Sequence, residues 1–62
     1  MNPNTKWMLI EASKPSGLIL HAASAASYAS QLVNEGLLHK SAVYSIWFIT
    51  KAGKRELEKE DE

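Results

Sequence analysis

Residues 32–57 read LVNEGLLHKSAVYSIWFITKAGKREL, and this stretch decides the fold. Gly36 has the position of the left-handed residue that ends a helix, with a leucine beside it for the accompanying apolar contact. Residues 37–38 begin a short strand, and residues 39–42 supply the turn. Residues 43–49 are rich in β-branched and aromatic side chains, which are typical of a strand. The stretch therefore predicts a two-stranded antiparallel hairpin directly after a helix.

The second strand of this hairpin is apolar on both faces, because successive side chains alternate in direction. One face holds Tyr44, Ile46 and Phe48, and the other, here called the Trp47 face, holds Val43, Ser45, Trp47 and Ile49. Exposing a large apolar side chain that can be buried forgoes roughly 1.5–3 kcal/mol. We therefore expect either the N-terminal segment or a second copy of the chain to cover the Trp47 face. We predict a homodimer, with interface residues Val43, Trp47 and Ile49.

Thr50 is a natural cap for a last helix from Lys51 to about Glu60. The order of helix, hairpin and capped helix resembles the second half of a winged-helix domain, where a recognition helix is followed by a β-hairpin wing and a closing helix. The resemblance covers about half of the chain. It implies an α+β fold: a small winged-helix-like domain with two or three helices and a two-stranded antiparallel hairpin. It also implies DNA binding, as a transcriptional or accessory regulator.

The first half of the chain predicts the helices that precede the hairpin. Asn4 or Thr5 is expected to cap a short helix over Lys6–Ala12, whose buried side holds Trp7, Met8 and Ile10. A second helical region lies between Leu18 and Glu35, as one helix or as two with a break near Ala22–Ala25. Its apolar face consists of Ala25, Tyr28, Ala29, Leu32 and Val33. The span is short for three full helices, so one helix of the winged-helix pattern is predicted to be abbreviated or absent.

Charge divides the chain unevenly, although the formal net charge is zero. Residues 1–55 hold six basic and two acidic residues, a net charge of +4, whereas residues 56–62 hold one basic and five acidic residues, a net charge of −4. This division predicts a single winged-helix-like domain over residues 1–55 and an acidic tail over residues 56–62. A basic body of this kind favours a polyanionic partner such as DNA.

The resemblance assigns candidate DNA-binding residues to three places. The exposed face of the recognition helix carries hydroxyl and amide side chains that can bond to base edges, namely Ser24, Ser27, Ser30, Gln31 and Asn34. The tip of the wing carries His39 and Lys40, and the last helix offers phosphate contacts from Lys51, Lys54 and Arg55. Each of these residues is also ordinary on a protein surface. The helix face nevertheless lacks the acids and lysines that a solvated face normally carries.

Catalysis has little support in the sequence. Before the acidic tail the only carboxylates are Glu11 and Glu35, and the only histidines are His21 and His39. There is no glycine-rich phosphate loop and no metal-ligand spacing. We therefore expect no enzyme activity, no cofactor, no metal site and no small-molecule substrate.

The remaining predictions concern location and an alternative function. The chain has no cysteine, which fits a reducing cytoplasm. The uncharged run from Pro15 to Asn34 contains serines, a glutamine and a histidine, so it is not expected to span a membrane. Because a fold does not dictate a function, the alternative is a small protein–protein interaction module that uses the same scaffold without binding DNA.

Overall fold

A computed structural model describes residues 2–60 of the chain. In chain order these residues form α1 (Pro3–Ala12), β1 (Leu18–Ile19), α2 (Ala23–Asn34), β2 (Leu38–Lys40), β3 (Ile46–Ile49) and α3 (Lys51–Glu60). The strands form one antiparallel sheet in the order β1-β3-β2. The protein is therefore an α+β, winged-helix-like domain, as predicted. Its sheet has one strand more than the predicted hairpin.

The additional strand, β1, occupies residues that the sequence assigned to the start of a helix. Leu18 pairs with Trp47, and Ile19 pairs with Ile46. Gly17, with φ +76°, brings the chain so close to β3 that a Cβ there would lie 2.7 Å from Cγ2 of Ile46. This close approach places the next two residues where they pair with β3. The sequence did not reveal the strand, because a run of two residues is too short to show the alternation of a strand. The second helix therefore begins only at Ala23.

The region between Leu18 and Glu35 thus holds a single helix, α2, of 12 residues. Residues 20–22 connect β1 to it, and the structure shows no helix between them. The helix that the sequence predicted to be abbreviated or absent is therefore absent from this part of the chain. The predicted apolar face of α2 is confirmed, since its five members either lie in the core or pack against it: Ala25, Tyr28, Ala29, Leu32 and Val33.

Helix α1 begins earlier than predicted and buries a different side. Its cap is Asn2, whose Oδ1 accepts a hydrogen bond of 2.8 Å from the backbone N–H of Asn4, and Pro3 occupies the favoured first position. Met8, Leu9 and Ala12 are buried, whereas Trp7 and Ile10 are exposed. The prediction was correct for Met8 and wrong for Trp7 and Ile10. Apolar residues occur on both sides of this short helix, and contact with β1 and β3 selects the side that is buried.

The end of α2 confirms the role predicted for Gly36. Its φ is +81°, and its N–H donates to the carbonyl oxygen of Val33 at 3.0 Å. The N–H of Leu37 donates to the carbonyl oxygen of Leu32, also at 3.0 Å. These two bonds form a Schellman motif, which satisfies the last carbonyls of the helix. The chain leaves α2 in a fixed direction and enters β2.

The hairpin exists, but its turn was placed too early in the chain. Leu38, His39 and Lys40 pair with Ile49, Phe48 and Trp47, so the connecting loop runs from Ser41 to Ser45. We call residues 41–45 the wing loop. Burial explains the shift, since Leu38 and Trp47 both face the core and their register fixes all the other pairs. His39 and Lys40 therefore lie in a strand, and Val43 and Tyr44 lie in the wing loop.

The Trp47 face of the sheet is covered by the chain itself. Trp47 is only 3% exposed and lies in one core cluster with Leu18, Leu38 and residues of α1 and α2. The N-terminal segment supplies this cover, which is one of the two arrangements that the sequence allowed. Of the three predicted interface residues, Trp47 belongs to the core and is unavailable to a second copy. Ile49 is partly buried against the core, and Val43 is exposed in the wing loop.

Helix α3 is attached to this core through its first turn. The hydroxyl of Thr50 accepts a hydrogen bond from the N–H of Gly53 at 3.1 Å, which confirms Thr50 as the cap. Leu57 packs against the core. Residues 56–60 are therefore the second half of α3 and not a tail outside the domain, and the predicted boundary at residue 55 falls within this helix. Asp61 and Glu62 lie outside the described residues.

Candidate nucleic-acid interface

The exposed face of α2 carries the predicted polar side chains together. The five residues lie on the side of the helix opposite Ala29 and Leu32, and all are exposed: Ser24, Ser27, Ser30, Gln31 and Asn34. None of their side chains forms a hydrogen bond or ion pair with another residue in the range 2–60. The helix also contains no acidic or basic residue. Its outer face therefore offers hydroxyl and amide groups without competing internal partners.

The topology determines what lies at each end of α2. Strand β1 runs from Leu18, opposite Trp47, to Ile19, opposite Ile46, and so points toward the wing loop. A short connection then leads to the first residue of α2, so the N-terminus of α2 and the wing loop share one end of the sheet. At the opposite end, the hydroxyl of Thr50 donates to the carbonyl oxygen of Gly36 at 2.6 Å. The first turn of α3 therefore adjoins the C-terminus of α2.

The basic side chains of α3 share one side of that helix. Lys51, Lys54 and Arg55 have the spacing i, i+3 and i+4, and all three are exposed. Within the described part of the chain, none of them takes part in an ion pair. Glu58 follows Lys54 by one helical turn and ends the basic surface. The positive charge is thus concentrated in the first half of α3, next to the C-terminus of α2.

His39 and Lys40 do not lie at the tip of the wing, which corrects the sequence prediction. Both belong to the edge strand β2 and are exposed. The ring of His39 stacks on Phe48, with centroids 5.7 Å apart. Lys40 lies at the base of the wing loop, and its Nζ is 5.8 Å from the centroid of the Trp47 ring. Lys40 therefore places one positive charge beside the loop, over the ring of Trp47.

The exposed tip of the wing was missed by the sequence analysis. Val43 is 77% exposed and Tyr44 is 66% exposed. The run of apolar residues through both of them favoured a continuous strand. The available signal was the pair of serines at positions 41 and 45, which are typical of turns and bracket this segment. Val43 was predicted to lie in a covered strand. In the structure it is exposed, and together with Tyr44 it forms an apolar, aromatic loop tip.

The segment between the end of α2 and the middle of α3 carries charge of one sign. Between residues 36 and 55 the sequence contains three lysines and one arginine but no aspartate or glutamate. The acidic side chains nearest along the chain are Glu35, at the end of α2, and Glu56, in the second half of α3. An anionic partner that contacts the wing and the start of α3 therefore meets no carboxylate from this segment.

Other parts of the described structure contain fewer groups that could bind a ligand. An open cleft between α1 and α2 is bordered by Trp7 and Tyr28, and the hydroxyls of Thr5 and Tyr28 lie 2.5 Å apart beside it. Residues 2–60 contain no group of three side chains that could hold a metal ion. None of the helices described is long and apolar enough to cross a membrane.

The chain matches no protein-family model, no curated protein and no solved structure. Its function must therefore be inferred from its own surface. On that surface the wing loop lies at the end of the sheet that holds the N-terminus of α2, and the basic first half of α3 adjoins the C-terminus of α2.

Proposed function

We propose that this domain binds DNA, as a transcriptional or accessory regulator of winged-helix type. The observation that carries the proposal is the exposed face of α2, which offers unpaired hydroxyl and amide groups and no charge. The segment that follows it, from Gly36 to Arg55, carries only positive charges. A neutral, hydrogen-bonding helix face next to basic groups suits a groove lined by phosphates.

The proposed roles differ between the two sets of residues. Gln31 and Asn34 can bond to adenine at two points, and the serines can donate to base edges or phosphates. Lys40, Lys51, Lys54 and Arg55 would neutralise phosphates, which contributes to binding of any sequence. Roughly three or four phosphate contacts predict a log–log salt slope of about −3. Binding is therefore expected to be weak and largely electrostatic.

The role we propose is a non-catalytic one that requires no cofactor. The cysteine-free composition supports a cytoplasmic setting for it. The acidic second half of α3 would repel a polyanion and so limit non-specific affinity.

A titration of the isotope-labelled protein with duplex DNA at low salt tests the proposal. We expect amide shifts in residues 24–34, at Lys40 and in the first half of α3. An unchanged spectrum for residues 24–55 at near-millimolar protein would contradict DNA binding.

Charge variants separate the two kinds of contact. Replacing Lys54 and Arg55 together by alanine should weaken binding to all sequences alike and make the salt slope shallower. Lys14→Ala is the matched control, because Lys14 is paired with Glu11 at 2.5 Å and lies outside the proposed surface. Gln31→Ala should reduce affinity only at a preferred site. Equal effects of the Lys14 variant and the double variant would contradict the proposed surface.

A second candidate function, protein–protein interaction, is favoured by a separate observation. Five large apolar side chains are exposed, namely Trp7, Ile10, Ile19, Val43 and Tyr44. Trp7 and Ile19 border one cleft, which is also lined by Glu11 and Lys14. The homodimer stays a prediction, but with Trp47 in the core its interface would have to be another surface, and this cleft is the one we propose. Sedimentation at increasing concentration tests it, because a dimer through this cleft should dissociate in the Trp7→Ser variant, whereas a monomer at all concentrations argues against it.

A further inference from the structure

We propose that the wing loop is a base-stacking element, in which the ring of Tyr44 packs on an unpaired base. The preferred nucleic acid would then be a duplex that adjoins a single-stranded segment. The inference rests on the proposed DNA-binding function and adds to it the class of nucleic acid.

The first argument is the state of Tyr44 itself. Its side chain is largely exposed and makes no hydrogen bond or ring contact with another residue in the range 2–60. Val43, its neighbour, is more exposed still, and its N–H bonds to the hydroxyl of Ser41 at 3.4 Å. This local bond holds the loop in a turn, which lowers the entropy lost when the tip binds a partner.

The second argument is the charge around the tip. Lys40 ends β2 at the base of the loop, and no carboxylate occurs between residues 36 and 55. His21 is exposed in the connection between β1 and α2, at the same end of the sheet. An aromatic tip among cationic and neutral polar groups fits a nucleic acid, which presents aromatic faces and phosphates together. An acidic partner without flat aromatic groups could not stack on the Tyr44 ring.

The third argument selects unpaired bases over an intact duplex. An apolar wedge that opens a base step costs a few kcal/mol for each step. The basic surface offers only roughly three or four phosphate contacts, which leaves little binding energy to offset this cost. A base that is already unstacked exposes its face without the cost of opening. The wing loop is therefore suited to an existing junction or strand end.

The test compares a blunt duplex with the same duplex extended by a short thymidine overhang. Anisotropy measures both affinities at one salt concentration, and a fluorescent base analogue at the first unpaired position reports stacking. We expect the wild-type protein to prefer the extended duplex by about tenfold, within the range measured for stacking of a base on an aromatic side chain. It should also quench the analogue.

The Tyr44→Ala variant should bind both DNAs with the affinity that the wild-type protein has for the blunt duplex. Tyr44→Phe should keep the preference, because the ring and not the hydroxyl is required. Trp7→Ala is the matched control: it removes another exposed aromatic residue, on α1, and should leave the ratio of affinities unchanged. Unfolding curves of all variants check that the substitutions at these exposed positions leave the fold intact.

The outcomes separate this inference from the proposed function. Equal affinity of the wild-type protein for both DNAs would overturn the stacking role and leave duplex binding standing. A preference that survives in Tyr44→Ala would also overturn it. No binding to either DNA would overturn the proposed function itself. If Tyr44→Ala changes the sedimenting mass without DNA, the loop is a contact between copies, and the inference fails.

Discussion

Gly53 determines how closely α3 can approach the hairpin. It is buried in the first turn of the helix, where a Cβ would overlap the carbonyl oxygen of Leu37 and lie 2.7 Å from Cγ1 of Ile49. Glycine is normally unfavourable within a helix by about 1 kcal/mol relative to alanine. Its presence here is explained by close packing, which no other residue type permits.

Gly53→Ala is therefore expected to destabilise the protein, despite the better helix propensity of alanine. Overpacking typically costs about 1–3 kcal/mol, and each kcal/mol lowers Tm by about 4–8 °C in a domain of this size. Thermal unfolding measures the change. Lys54→Ala is the control, because it introduces the same residue at an exposed position of the same helix. A Gly53→Ala variant more stable than the wild-type protein would contradict the packing described.

At Lys40, one substitution can separate the contribution of the side chain to stability from the contribution of its charge to DNA binding. Its Nζ lies 5.8 Å from the centroid of the Trp47 ring, and the residue ends β2 at the base of the wing loop. Lys40→Met keeps an apolar stem, so unfolding stability should change by no more than about 0.5 kcal/mol, as for most surface substitutions. If the lysine contacts a phosphate, DNA binding should weaken and the salt slope should become shallower by about one. An unchanged slope would remove Lys40 from the interface.

Thr50 joins the ends of two helices. Its hydroxyl accepts from the N–H of Gly53 at the start of α3 and donates to the carbonyl oxygen of Gly36 at the end of α2. Its own N–H donates to the carbonyl oxygen of Leu37 at 3.1 Å. Thr50 is therefore one of the residues that fix the basic helix start relative to the end of the polar helix.

Thr50→Val should lower the free energy of unfolding by about 0.5–2 kcal/mol, since it removes a helix cap. It should also speed amide exchange at Gly53, whose N–H loses its acceptor. Thr50→Ser keeps the hydroxyl and should retain most of the stability. Denaturant unfolding and hydrogen exchange test both variants. Equal stability of the valine and serine variants would contradict the bridging role.

At the scale of elements, the cap of α3 and the end of α2 could be predicted from the sequence, whereas the pairing of the strands could not. Gly36 ends α2 and Thr50 caps α3 through bonds between residues close in the chain, so both roles were identified correctly. The bond from Thr50 to Gly36 joins residues far apart in sequence and was not predicted. Strand β1 was missed because only two residues form it, and its partner lies far along the chain. The turn of the hairpin was misplaced because burial of Leu38 and Trp47 sets the register, and only tertiary contacts reveal that burial.

The candidate site shows the same division between local and long-range information. The polar face of α2 follows from helical periodicity, and the structure places all five of its predicted residues outward. The wing was assigned correctly as a hairpin but with the wrong residues at its tip. Its exposed Tyr44 follows from the register of β2 on β3, which depends on the core.

At the scale of the whole molecule, the charges of α3 oppose one another along a single helix. Its first half is basic and its second half is rich in glutamate, with Lys59 paired to Glu56 at 3.3 Å. Because Leu57 packs against the core, deleting this segment would disturb the fold as well as the charge. Neutralising individual acids is therefore the appropriate experiment.

Glu58→Gln should strengthen DNA binding at low salt, because one negative charge no longer repels the phosphates. The gain should disappear as salt is raised, since exposed charges are screened beyond about 10 Å at 0.1 M. Titrations at two salt concentrations measure this. A gain that persists unchanged at high salt would indicate a direct contact instead of long-range repulsion.

The central strand of the sheet is also the last to occur in the chain. Strands β1 and β2 pair only with β3, so neither edge can form a ladder before residues 46–49 are available. The hairpin closes a short loop, whereas docking of β1 brings together residues far apart in sequence and is expected to be slower. During synthesis, the apolar Leu18 and Ile19 therefore remain without a strand partner until residues 46–49 have emerged. This delay leaves an unpaired apolar segment that can aggregate or bind a chaperone.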